Sequence, residues 1–105
     1  MKEIPQSNIK WPDAMQQPPP GIYGYWWEDD KVVCIALIEG TNKKGLFREW
    51  MVELEKKNKI IYFPTVIGAR LLDILRRNGY EDAYVYDKFS KDTIECMAKF
   101  PKVVV

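Results

Sequence analysis

The hydrophobic pattern changes period several times along the chain, and each change marks an element. Ile22-Tyr23-Gly24-Tyr25-Trp26-Trp27-Glu28 is aromatic and suits a strand. Alternation places Tyr23, Tyr25 and Trp27 on one face and Ile22 with Trp26 on the other. One of these sets belongs to the core and the other is a candidate exposed patch. Asp29-Asp30 reads as a tight turn. Lys31 to Glu39 follows, nearly all apolar and rich in β-branched residues. Such a strand is expected to be buried on both faces and central in its sheet. From Lys44 to Lys57 the period becomes helical, with Leu46, Phe47, Trp50, Met51 and Leu54 on one face. Thr41 and Asn42 are candidate N-caps, and Asn58 a left-handed stop.

Lys59-Ile60-Ile61-Tyr62-Phe63 predicts a short buried strand closed by Pro64. Thr65 is positioned to cap a helix from about Val66 to Arg77, ended by Asn78-Gly79. Asp82 to Phe89 reads as a strand. Ser90-Lys91-Asp92 suits either a helix cap or a hairpin turn. Ile94, Cys96, Ala98 and Phe100 then alternate with Thr93, Glu95, Met97 and Lys99, which favours the hairpin. Residues 1–20 carry Pro5, Pro12 and Pro18-Pro19-Pro20, which exclude a helix or a central strand. They read as an extended, partly polyproline II arm, either packed through Ile4, Ile9, Trp11 and Met15 on the domain or a partner, or disordered. The predicted order is β-β-α-β-α-β-β over 21–105: an α/β domain with a mixed central sheet and two helices.

Composition narrows the chemistry. The chain has 105 residues, enough for one domain, and a net charge of +1. That charge gives no drive toward nucleic acid, and no Lys/Arg stripe accompanies the aromatics. Histidine is absent, which removes the commonest metal ligand and the usual general base. Cys34 and Cys96 sit far apart in apolar runs, read as buried hydrophobes, and give no zinc spacing. The N-terminus lacks the apolar core of a signal peptide, and no apolar run reaches a membrane span. A cytoplasmic setting without membrane contact is the resulting expectation.

Two local pieces and the element order together resemble a known family. One piece is Ala69-Arg70-Leu71-Leu72-Asp73-Ile74-Leu75-Arg76-Arg77-Asn78-Gly79-Tyr80, a helix that ends in Gly and an aromatic. The other is the strand and helix from Glu39 to Leu54. With the order over about 21–100, the chain resembles the C-terminal core of the GNAT superfamily of acyl-CoA-dependent acetyltransferases. The family's N-terminal strand and two helices, which help bind the acceptor, have the proline-rich arm in their place.

The resemblance implies acetyl-CoA or another acyl-CoA as cofactor. Leu37, Ile38 and Glu39 would pair with its pantetheine arm, and one of their amides would hold the developing oxyanion. Lys43, Lys44, Gly45 and Leu46 would hold the pyrophosphate at a helix N-terminus. The family's Q/R-x-x-G-x-G/A loop aligns with Asn42-Lys43-Lys44-Gly45-Leu46-Phe47, where only the first glycine matches. The position of the family's frequent catalytic Tyr is Leu75, and that of its helix-starting Asn is Gly68. Glu39 is the candidate catalytic base, or else a solvated strand-end carboxylate. Tyr62, Tyr84 or Tyr86 would serve as acid if one faces the cleft.

Two functional readings follow. The first is a compact GNAT-like acyl-CoA-binding protein, an N-acetyltransferase acting on a macromolecular amine. The second is a catalytically inactive GNAT-fold interaction protein, whose aromatic strand and arm make the contact surface. Small size would suit a viral or mobile-element protein. An open sheet edge at the first or last hairpin offers a route to a homodimer.

Overall fold

The computed structural model describes residues 1–5, 15–39, 45–64, 68–87 and 91–101, with the backbone alone for 37–39 and 87. The elements are β1 (Lys2–Glu3), β2 (Tyr23–Glu28), β3 (Val32–Glu39), α1 (Leu46–Glu55), β4 (Ile60–Phe63), α2 (Ala69–Arg77), β5 (Glu81–Asp87) and β6 (Asp92–Lys99). The predicted order is present, preceded by the two-residue β1. So short a strand leaves no periodicity to read, and residues 1–20 gave no sign of it.

The six strands form one mixed sheet in the order β1-β5-β6-β4-β3-β2. β1 runs parallel to β5 and β3 parallel to β4, while the other neighbours are antiparallel. The last strand is inserted between β4 and β5, so the closing hairpin folds back into the sheet rather than extending its edge. The Asp92–Lys99 segment is a strand, as alternation favoured, and not a capped helix.

Two apolar clusters lie on the two faces of the sheet. The first joins Ile22, Trp26, Val33, Ile35, Ile61, Phe63 and Met97 to Trp50, Met51 and Leu54 of α1 and Leu75 of α2. Both helices therefore cover the same face. The second cluster holds Ile4, Val32, Cys34, Tyr62, Ala83, Cys96 and Ala98, flanked by Trp27, Ile60, Val85 and Phe100. Val32, Val33, Cys34 and Ile35 are each at most 1% exposed, as a central strand requires. The aromatic strand splits as alternation predicts. Ile22 and Trp26 are core, Trp27 packs on the second cluster, and Tyr23 and Tyr25 are 64% and 44% exposed.

Local chemistry sets the ends of the elements. Asp29 closes the β2–β3 turn by accepting hydrogen bonds at Oδ1 from the Lys31 and Val32 amides (2.7 and 2.8 Å). α1 begins later than expected. Gly45, not Thr41 or Asn42, holds the cap position at φ 87° without a side-chain cap. α2 likewise begins at Ala69, with Gly68 as cap, and the expected cap Thr65 lies outside the described residues. Its C-terminus is a Schellman motif: the Tyr80 amide donates to Leu75 O (3.0 Å) and the Gly79 amide to Arg76 O (3.3 Å). Leu75 and Tyr80 then share the core that the motif brings together.

An ion cluster ties the end of α1 to β2. Lys57 and Lys59 both reach the Glu28 carboxylate, at 2.7 and 3.5 Å, and Lys57 lies 5.3 Å over the Trp26 ring. Burial pushes the Glu28 carboxyl up, but the Lys57 hydrogen bond and the two ammonium charges outweigh it and hold the group below its ordinary value of 4.5. Glu28 is thus more acidic folded than unfolded. Its stabilising contribution is complete above about 4.5 and is lost as pH falls through the lowered folded value.

Two outcomes are expected. Gly79→Ala should cost about 1–2 kcal/mol in a urea titration, through backbone strain alone. The added methyl meets nothing closer than Lys99 Cε at 3.7 Å, while φ stays at +88°. Glu28→Gln should cost about 0.5–1 kcal/mol at pH 7. That difference should shrink toward zero on acidification from pH 4.5 downward, and a constant difference would remove the ion cluster as its cause.

Candidate functional site

The site begins where β4 stops. β3 and β4 pair at only three positions, Val32↔Ile60, Val33↔Ile61 and Cys34↔Tyr62. β4 ends at Phe63, and Pro64 has no N–H with which to continue the ladder. β3 runs on for five residues to Glu39, still paired with β2. On the other side β6 pairs with β4 from Met97 to Lys99, whereas Asp92 to Cys96 pair only with β5. Among the described residues no strand lies between the outer part of β3 and Asp92–Cys96 of β6, which gives a slot with two strand lips. Two interstrand spacings at its base put the lips about 9–10 Å apart.

The β3 lip is shaped by a bulge. Tyr25 pairs with Leu37 and the next residue, Trp26, with Ile35, so Ala36 is an extra residue. A bulge bends the strand and re-aims the backbone groups beyond it. Here these belong to Leu37, Ile38 and Glu39, the segment expected to face the cofactor. No Gly or Pro in Cys34-Ile35-Ala36-Leu37 announces the bulge, so the pattern did not reveal it.

The six residues from 40 to 45 connect Glu39 to α1. The first amide of α1 with a helical acceptor is that of Glu49, donating to Gly45 O (2.9 Å). The Leu46, Phe47 and Arg48 amides precede it and have no intrahelical partner. A Cβ at Gly45 would meet no described atom within 4 Å. Leu46 packs its side chain on the core and can offer a ligand only its amide. Phe47 also turns to the core, its ring 6.4 Å from that of Phe63. Lys43 and Lys44 lie outside the described residues.

The strand and helix order is GNAT-like. The parallel pair β3 and β4 joined through α1, the second helix, and the returned hairpin occur in the family's sequence. Against known proteins, no family model, no curated protein and no solved structure matches the chain. The GNAT-like character therefore rests on the order of elements in this fold.

The expected proton carriers are distributed unevenly. Leu75, at the family's Tyr position, is 1% exposed in the helix-side core. Gly68 is the exposed cap of α2. Tyr62 is buried in the cluster on the face away from the helices, where burial and the nearby Cys34 push its hydroxyl far above the ordinary range. Tyr84 and Tyr86 are on β5, with β6 between them and the slot. Glu39 closes the β3 lip, and it is the candidate base whose backbone borders the slot. Among the described residues no three metal-ligating side chains cluster, and no helix is long and apolar enough to cross a membrane.

A second concavity lies outside the slot. Gln16 makes a two-bond bridge to Trp26 (2.7 and 3.1 Å), and the Ile22 amide donates to Pro19 O (3.1 Å). The proline run thus loops beside the β2 edge, and residues Gln17 to Tyr25 line a groove of about 590 Å³.

Burial also decides the cysteines. It pushes the Cys34 thiol up to about 12, an effect that Tyr62 partly offsets and Cys96 adds to, and it pushes the Cys96 thiol up to about 11. At pH 8 an aromatic disulfide reagent should label neither thiol faster than the protein unfolds. Rapid labelling of the native protein would contradict this burial.

Proposed function

We propose that this domain binds an acyl-CoA through the slot and the start of α1, and acts on a macromolecular amine. The observation that carries the reading is the early end of β4, which leaves β3 beyond Cys34 with no described strand on that edge, beside the start of α1. The pantetheine arm has two amides and suits pairing with a strand edge. The β3 backbone beyond Cys34, which includes Leu37–Glu39, has no described strand on that side. The pyrophosphate suits the Gly45 and Leu46 amides, with Lys43 and Lys44, just before them in sequence, adding charge. Gly45, which has free space where a Cβ would stand, fits a close backbone approach.

When bound, the thioester supplies an activated acyl carbon, whose C–S bond breaks as the C–N bond to the amine forms. The chain's own residues would then do two things. A backbone N–H of Leu37–Glu39 would hold the carbonyl oxygen as negative charge develops on it. The Glu39 carboxylate would take the proton that the amine gives up. The departing thiolate would draw its proton from solvent, because Leu75 has none to give and Tyr62 is buried on the other face.

That last feature favours a second reading, an inactive GNAT-fold interaction protein. It would keep the slot without the chemistry, and the exposed Tyr23 and Tyr25 beside the proline groove would contribute to its contact surface.

Calorimetry with acetyl-CoA, alongside thermal unfolding, separates the two. A ligand at a hundredfold excess over its dissociation constant adds about 2.7 kcal/mol of stability. Saturable binding is expected, abolished by the double variant Lys43→Glu/Lys44→Glu. No binding at millimolar cofactor would withdraw the acyl-CoA reading and leave the interaction protein. Binding with turnover on small amines alone would overturn the macromolecular acceptor.

A further inference from the structure

The end of α2 carries a reactive pair that neither functional reading uses. Of the four asparagines, Asn8, Asn42, Asn58 and Asn78, the last alone precedes a glycine. The carbon of an asparagine side-chain amide is open to attack by the backbone nitrogen of the next residue. A following side chain shields that nitrogen, and glycine has none. Ile9, Lys43 and Lys59 follow the other three. Asn78 and Gly79 are both exposed, so solvent reaches them.

The reaction needs nothing beyond water and hydroxide. The Gly79 nitrogen gives its proton to hydroxide and bonds to Asn78 Cγ. The Cγ–Nδ2 bond breaks, and Nδ2 takes a proton from water and leaves as ammonia. One water then opens the resulting five-membered imide at either carbonyl. Opening at the main-chain carbonyl gives isoaspartate, in which the main chain runs through the former side chain and is one carbon longer. Opening at the other gives aspartate.

The fold holds the pair away from this step in three ways. Asn78 Nδ2 donates to Ile74 O at 2.7 Å, which turns the side chain back along the helix and away from Gly79. The Gly79 amide donates to Arg76 O at 3.3 Å, which engages the proton that must leave. Ring closure requires Cβ of Asn78 to eclipse the Gly79 nitrogen about the Cα–C bond. At ψ 16° the Asn78 nitrogen nearly eclipses it, so Cβ is turned well away. All three features belong to the C-terminal cap of α2. The next residue locks that cap: the Tyr80 amide donates to Leu75 O at 3.0 Å, and the Tyr80 ring is buried 5.6 Å from that of Phe63.

We propose that Asn78–Gly79 is a deamidation site suppressed by the cap of α2, so that ammonia is lost only when this turn opens. Helix ends open locally at less cost than the whole domain unfolds. The modified chain does not recover the same cap. Aspartate has no donor for Ile74 O, adds a negative charge at the negative end of the helix, and takes the net charge from +1 to zero. Isoaspartate lengthens the turn that the Gly79 and Tyr80 amides close, which draws Tyr80 out of register with Leu75 and Phe63. Each opening that ends in reaction is therefore irreversible and weakens the cap.

The test incubates the full chain at pH 8, native and in guanidinium. The tryptic peptide that begins at Asn78 reports the mass gain, and chromatography separates its two products. The native chain is expected to react at least about tenfold more slowly than the unfolded one. Gly79→Ala should slow the reaction in the unfolded chain. Leu75→Val, checked for folding by circular dichroism, should raise the native rate about two- to tenfold and leave the unfolded rate unchanged. Asn78→Asp should lower the midpoint of thermal unfolding. Amide exchange at Tyr80 in the unaltered chain measures the opening independently, and the slowing it gives should match the ratio of the two deamidation rates. The proposal is overturned if native and unfolded chains react equally fast, or if another asparagine reacts first in the unfolded chain. It is also overturned if the exchange and deamidation ratios disagree by more than about tenfold, if a folded Leu75→Val reacts no faster, or if Asn78→Asp leaves the midpoint unchanged.

Discussion

The short run of β4 is the constraint on which the rest of this structure depends. Four residues, Ile60 to Phe63, are enough to join β3 to β6 at the base of the sheet. Pro64 then ends the ladder, because a residue without an N–H cannot donate to it. Past that point the two longer strands continue with no described strand between them. Unpaired backbone normally carries a penalty when buried, so the slot must stay wet or be filled by something with matching donors and acceptors. The candidate cofactor site is one side of that interruption.

The asymmetry of the sheet sets what can happen around the slot. Both helices pack on one face, and their apolar side chains converge on Phe63, the last residue of β4. Its ring meets Tyr80 edge-on at 5.6 Å and Phe47 at 6.4 Å. This aromatic group anchors the start of α1 and the end of α2 to the base of the slot. Removing that ring would cost the core about 3–5 kcal/mol. It would also loosen the helix start, whose first amides have no intrahelical acceptor. Stability and the site are therefore coupled through one side chain. The opposite face buries both thiols and Tyr62 in an apolar cluster, which takes these groups out of chemistry at neutral pH.

Electrostatics in the described structure is mainly local and exposed. Most ion pairs join neighbouring elements at the surface, and such pairs contribute little each. The Glu28 cluster differs because two ammonium groups converge on one carboxylate and one of them also covers Trp26. It fixes the end of α1 against β2, at the far end of the helix from the slot.

The sequence by itself determined the elements and their order. β-branched runs, the helical period from Leu46 to Leu54, Asn78-Gly79 and the alternation after Asp92 depend on neighbours within a few residues, so they can be read along a chain. The same alternation sorted Ile22 and Trp26 from Tyr23 and Tyr25 correctly. Tertiary structure alone decided the rest. The two-residue β1 exists because β5 offers Ala83 and Tyr84 as partners, and nothing in Lys2-Glu3 itself demands a strand. The extra residue at Ala36 arises from the register with β2 and has no marker of its own. The helical period put Phe47 on an apolar stripe, but that its ring meets Phe63 was set by the packing of α1 on the sheet. Pro64 was legible as the end of a strand, but the slot it opens was not. A gap exists only relative to neighbours that continue, and which strands neighbour β4 is set by long-range pairing rather than by local sequence.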